Sequence, residues 1–196
     1  LNMQPQAKVI VTKTKAATVL YMASIIVEAT WLDTFCQFCV SNAAREVPQH
    51  CPNRVSAIVW YDFCTLRYSN KNFFGKVLTY PTCNGFGTKS ITNFEEIRKG
   101  DAFMRSFIKK TAQDTNQLDY MDGFNLSLIQ RRYGMVQCNR DLTNEGFRQC
   151  LEAMIAQVLK CCERKLGWFI WCGTCMIRYD DHMFCLLNNK HHQFLF

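Results

Sequence analysis

The chain repeats itself. Displacing it by 111 residues lays Cys39, Cys51 and Cys64 on Cys150, Cys162 and Cys175 without a gap, and both triplets have separations of 12 and then 13. The residues after the third cysteine agree as well: Leu66-Arg67-Tyr68 falls on Ile177-Arg178-Tyr179. Self-similarity at a fixed offset marks one structural unit used twice, so whatever fold the chain adopts it must adopt in duplicate.

Each copy follows the same grammar. In the second, Leu151, Met154, Ile155, Val158, Leu159 and Cys162 recur at helical spacing and form one apolar stripe. Lys165 to Tyr179 is rich in Trp, Phe and Ile and predicts a buried strand pair or one long strand. In the first, Asn42 to Val47 is the helix, ended by Pro48, and Val55 to Tyr68 is the matching strand region. Between the copies, Thr92 or Asn93 can cap a helix whose first turn holds Glu95 and Glu96 and whose inner face is Met104, Phe107 and Ile108. Tyr120 to Cys138 then reads as strands. Val19 to Val27, the most apolar run, is broken by Ser24 and is too short for a span of ~20 residues. It reads as a buried strand or helix, and no membrane span is expected.

Twelve cysteines in 196 residues point to a secreted, cross-linked chain or to a metal binder. Histidine is scarce, with only His50, His182, His191 and His192, so mixed zinc sites lack nitrogen ligands. The cysteine near each helix start, Cys39 or Cys150, lies 25 residues before the one in the strand, Cys64 or Cys175. A bridge joining each pair would tie helix to sheet and, by loop closure, stabilise by roughly 3 kcal/mol. The formal charge of +7 is spread, with no block of five like charges, which argues against a nucleic-acid partner. No n-region, h-region and cleavage site occur in order. The sequence is therefore read as beginning after processing or inside something longer.

Several stretches carry a resemblance. Tyr133-Gly134-Met135-Val136-Gln137-Cys138, Asp141-Leu142, Cys150-Leu151 and Cys175-Met176-Ile177-Arg178-Tyr179 resemble the ginkbilobin-homologous, or stress-antifungal, domain. So do Trp60-Tyr61-Asp62, Leu66-Arg67-Tyr68-Ser69-Asn70 and Phe73-Phe74-Gly75. Two tandem copies look like the extracellular region of plant cysteine-rich receptor-like kinases or secreted cysteine-rich repeat proteins. The resemblance implies an α+β fold: two tandem units, each a small antiparallel sheet packed by helices and stapled by disulfides. The expected division is 1–78 for the first unit, 79–187 for the second and 188–196 for a tail. The resemblance also implies bridges beyond helix to strand. The family's first two hallmark cysteines pair with each other, and here each copy lacks one of them, leaving Cys36 and Cys138 as orphans; Phe147 stands at the second copy's missing position. Cys83 and Cys162 fit a further family bridge. The partner of Cys51 would precede residue 1, so the first unit is expected to be truncated, without its first strand and helix. The pairing of Cys51, Cys161, Cys172 and Cys185 stays open.

The expected function is an extracellular ligand-sensing or adhesion region, in the apoplast or on the outer face of the plasma membrane, acting in defence and stress signalling. Its ligand is unknown; cell-wall carbohydrate or another receptor ectodomain are the candidates. No catalytic residues, cofactor or metal ligands are expected, and any kinase of a parent protein is not in this chain. The first alternative is a secreted mannose-binding antifungal lectin. The family's sugar site places an Asn after the N-terminal cysteine, an Arg in the strand and an acid beyond it. Those positions fall on Asn84, Phe169 and Asp180 in the second copy, and the Arg and acid positions on Ile58 and Ser69 in the first. Losing the Arg removes its fork of donors, so Asn84 and Asp180 are the only sugar-site candidates. The lesser alternative is a thiol oxidoreductase through Trp171-Cys172-Gly173-Thr174-Cys175, set against which all four prolines precede Cys175. A zinc site from Cys36, Cys39, Cys172 and Cys175 would straddle both copies and is disfavoured. Asn125-Leu126-Ser127 is an N-glycosylation sequon.

Overall fold

A computed structural model describes residues 8–13, 18–27, 33–61, 64–113 and 119–184. The expected tail, Cys185, His191 and His192, and the side chain of Cys36, fall outside the described part. Nine strands and three helices are present among the described residues: β1 Lys8–Lys13, β2 Thr18–Val27, α1 Asp33–His50, β3 Ser56–Trp60, β4 Cys64–Ser69, β5 Cys83–Phe86, α2 Phe94–Gln113, β6 Asp119–Asn125, β7 Arg131–Cys138, α3 Asn144–Cys161, β8 Trp168–Trp171 and β9 Cys175–Asp180.

They form two antiparallel sheets, ordered β1-β2-β4-β3 and β5-β8-β9-β7-β6. The offset of 111 is obeyed by the backbone: it carries the bounds of α1 onto those of α3, and those of β4 onto those of β9. The apolar run at Val19 is strand β2, and the aromatic region before Tyr179 is the hairpin β8–β9. Helix α1 is longer than Asn42 to Val47 and carries Pro48 inside its last turn. Pro48 forgoes the amide bond to the Ala44 carbonyl, a loss confined to the final turn because the helix stops two residues later. Asn93 caps α2, its Oδ1 accepting the Glu95 amide at 2.9 Å, and Thr143 caps α3 through the Gly146 amide at 3.2 Å. Strand β5 and helix α2 have no counterpart among the described residues of the first unit.

Alternation along the strands sorts the side chains into two faces. In the second sheet, Val136, Ile170, Cys175 and Ile177 pack under α2 and α3 with Phe107, Phe147, Leu151, Met154 and Ile155. Ala23 and Leu66 of the first sheet pack with Ala43 of α1. The opposite faces meet: Ile26 joins Met135, Trp171 and Met176, with Trp60 and Phe169 at the edge. The connection between the units is pinned by the Gly75 amide donating to Asp141 Oδ2 at 2.7 Å and the Leu78 amide to Thr174 Oγ1 at 3.1 Å. The helices thus lie outside and the sheets inside.

Candidate binding groove and the cysteine sites

The packing of α2 and α3 on the second sheet leaves a groove of about 200 Å³. Its floor is Met104, Ile155, Val158 and Trp168, and charged side chains, among them Asp101, Arg105, Glu163 and Lys165, surround it. At its inner end Arg132 Nε donates to Glu96 Oε1 at 2.7 Å, an ion pair in which Arg132 is 6% exposed and Glu96 9%. Arg132 also donates to the Arg131 carbonyl at 3.0 Å. A buried charge must be paired or it is not tolerated, so Glu96 and Arg132 fix the junction of α2 with β7. Tyr179, also in the wall, stacks on Trp168 with ring centroids 5.7 Å apart. Its hydroxyl is buried without a hydrogen-bond partner, and burial pushes its pKa up, opposed by the charge of Arg132. Gly100 admits the close approach of α2: a Cβ there would lie 2.9 Å from that hydroxyl. The sequence reading missed this groove, since its residues come from three separate stretches, 91–105, 155–168 and 179. Glu96 in a first turn was the one visible signal.

The two sugar-site candidates are not brought together. Asn84 opposes Ile170, which opposes Ile177, and so sits on the helix-covered face. Asp180 opposes Tyr133 and shares the parity of Arg178 and Met135, on the other face. Two inter-strand spacings, across β8, also separate them, about 10 Å at the usual spacing. Burial and the neighbouring Asp181 push the Asp180 carboxyl pKa up. Phe169, at the Arg position, packs against Trp171 between the sheets.

Among the candidate disulfide residues, Cys39 and Cys64 are bonded, joining α1 to β4. The other expected pairs are not formed. Cys175 is bonded to Cys138 rather than to Cys150, because Cys138 and Cys175 are cross-strand partners in register and on the same face. Cys83 is free and half-buried beside Trp171, whereas Cys162, buried under the helices, is bonded to Cys161. The sheet stands between Cys83 and Cys162, which is why they do not meet. Cys51 is free. Cys172 sits in the β8–β9 turn, 1% exposed, its Sγ accepting the Cys175 amide at 3.2 Å. It is at no helix N-terminus, the position that activates a thioredoxin-type thiol, and is closed to a protein substrate. Asn125, the sequon residue, is exposed at the end of β6. No helix among the described residues is long and apolar enough to cross a membrane.

The family model for Stress-antifung, salt stress response/antifungal, matches residues 7–71 and 82–182. Cysteine-rich repeat secretory protein 38 of Arabidopsis thaliana is 32% identical over 150 residues, covering 76% of this chain and 60% of that protein. The antimicrobial ginkbilobin-2-like protein of Castanea crenata is 30% identical over 77% of this chain and 63% of its own length. Cysteine-rich receptor-like protein kinase 25 of Arabidopsis thaliana is 31% identical, and the match takes in 76% of this chain but 22% of the kinase. The chain thus spans about 60% of the secreted relatives' length. The tandem DUF26 ectodomain of the Arabidopsis thaliana cysteine-rich receptor-like protein PDLP8 superposes with a TM-score of 0.69 at 17% identity, over 89% of this chain and 80% of that one. That of PDLP5 superposes with a TM-score of 0.66 at 21% identity, over 91% and 82%. Two copies of one α+β unit, in sequence and in backbone, matched along most of their length by one family, make this chain a member of the stress-antifungal (DUF26) family in tandem form.

Proposed function

We propose that this chain is the extracellular recognition region of a plant cysteine-rich receptor-like kinase or secreted cysteine-rich repeat protein, binding a ligand in defence and stress signalling without transforming it. Its relatives include both secreted repeat proteins and receptor kinases, which supports a location outside the cell. The observation that carries the reading is the groove between α2 and α3. An apolar floor would stack a ring or short chain, and the charged groups around it would orient the ligand. Glu96 is held by Arg132 and Asp101 by Arg105 Nε at 2.8 Å, so both carboxylates are fixed in place at the groove. At about 200 Å³ the groove is smaller than the ~300–1,000 Å³ that suits drug-sized molecules. A single ring or chain end fits; the rest of a polymer would lie across the surface.

Calorimetric titration with a panel of cell-wall oligosaccharides tests this. One member should bind, and Lys165→Ala, which removes a charged group beside the groove, should weaken it at least about fivefold, the ~1 kcal/mol of one hydrogen bond. Binding that is indifferent to Lys165→Ala and Ile155→Ala would move the site elsewhere. Turnover of a bound oligosaccharide would refute a purely binding role. A mannan titration with Asn84→Ala addresses the lectin alternative, which the Castanea relative favours and the separation of Asn84 from Asp180 disfavours.

A further inference from the structure

Four cysteines converge inside the second unit: Cys138 on β7, Cys150 on α3, Cys172 in the β8–β9 turn and Cys175 on β9. None is more than 1% exposed. Cys138 and Cys175 are bonded. Cys150 Sγ lies 3.8 Å from Cys172 Sγ, and the sulfurs of Cys138, Cys150 and Cys175 lie within 4.8 Å of one another. Around the remaining pair, Cys150 Sγ lies 3.3 Å from Thr174 Oγ1, and Cys172 Sγ lies 3.7 Å from Met154 Sδ and 3.8 Å from Thr174 Oγ1.

We propose that Cys150 and Cys172 form a second disulfide, so that the four buried cysteines close into two cross-links, Cys138–Cys175 within the sheet and Cys150–Cys172 between α3 and the β8–β9 turn. The two sulfurs are already at contact distance, and a rotation about the side-chain bonds brings them to the ~2.05 Å of a disulfide. Their positions 22 residues apart close a loop that reaches from helix to sheet. In the first unit the corresponding helix is tied to its strand by Cys39–Cys64, so the bridge restores a helix-to-sheet tie by a different pair. The hydrogen bond with Cys172 and burial raise the Cys150 thiol pKa, whereas hydrogen bonds from Cys150 and from the Thr174 and Cys175 amides lower that of Cys172 to about 7 despite its burial, which makes Cys172 the readier nucleophile of the pair.

The chemistry balances with a disulfide oxidant, such as glutathione disulfide or a protein disulfide oxidoreductase. The Cys172 thiolate attacks the oxidant's disulfide and expels one thiolate. The Cys150 thiolate then attacks the Cys172 sulfur of the mixed disulfide and expels the second. Two electrons and two protons pass from Cys150 and Cys172 to the oxidant, which leaves as two thiols. Because Cys172 is enclosed in the folded unit, the reaction belongs to folding, before α3 has docked.

The test is peptide mapping of the protein folded with oxidised and reduced glutathione, alkylated in guanidinium without reductant. The expected result is a linked peptide pair carrying Cys150 and Cys172, neither residue alkylated. Alkylation of both would overturn the proposal, as would Cys150 linked to Cys175 or Cys138, or a stoichiometric thiophilic metal holding the cluster reduced. Single variants give a second readout. Cys150→Ser and Cys172→Ser should each free one thiol and lower Tm alike, and the double variant should be no less stable than either. Additive losses would mean that the cysteines act separately. Should a variant not fold, the mapping of the unsubstituted chain decides.

Discussion

At positions 111 residues apart, α3 turns Leu151 and Met154, both fully buried, and Ile155, 2% exposed, toward its sheet. Helix α1 offers Val40, Ala43 and Ala44 at those places, and of these only Ala43 is buried. The second unit adds α2, which supplies Met104 and Phe107 and closes the ion pair of Glu96 with Arg132. Among the described residues, one backbone plan therefore carries two different amounts of apolar burial, which is the main stabilising force in folding. The comparison teaches that the helix-to-strand disulfide matters most where the core is thin. Among the described residues, Cys39–Cys64 fastens a helix that buries only Cys39 and Ala43, whereas α3 is held by packing.

The largest test of that contrast is Phe147→Ala. Its ring projects from α3, is fully buried and meets Tyr120 edge-on, and its loss should cost about 3–5 kcal/mol, seen as a lower urea midpoint. A loss below 1 kcal/mol would show the second core to be as loose as the first. Next comes the pair Cys39→Ser with Cys64→Ser, expected to cost roughly 3 kcal/mol by loop closure and to release α1 first. Hydrogen exchange along α1 reads this out, and unchanged protection there would break the argument for the staple.

Gly134 sharpens the comparison further. A Cβ there would lie 2.6 Å from Met104 Sδ and from Phe103, side chains of α2. Overpacking predicts a loss of about 1–3 kcal/mol for Gly134→Ala. The equivalent residue of the first unit is Ala23, where no counterpart of α2 is described and Cβ fits. Ala23→Gly should cost no more than about 1 kcal/mol, and equal losses from the two swaps would detach Gly134 from helix packing.

The smallest effect concerns pH. Hydrogen bonds from Arg148 and Gln149 lower the Glu145 pKa from 4.5 to about 2. A carboxyl with a depressed folded pKa contributes stability that is present above its unfolded pKa and is lost as pH falls through the folded value. The loss should appear between pH 4.5 and 2, be slight because the group is exposed, and shrink with added salt. Glu145→Gln should remove that part of the acid transition; an identical acid limb would discard the interaction.

Much of the fold was legible because periodicity and repetition are local properties. The offset of 111, the stripe on α3, the cap at Asn93 and the strand pair before Tyr179 are each written in consecutive residues. The length of α1 was not, since Ala43, Ala44 and Arg45 make a weak stripe and Pro48 reads as a stop although it sits in a last turn. The cysteine pattern by itself determined that a helix and a strand in the first unit could be fastened together, and the repeat determined that the two halves share one plan. Only the tertiary structure decided which sulfurs meet in the second half, which face each strand residue takes, and that a groove opens between α2 and α3. The reason is that strand pairing and helix docking bring together residues far apart in the chain, and a one-residue step along a strand moves a side chain through the sheet. That step separates Asn84 from Asp180, and cross-strand register sets Cys138 opposite Cys175.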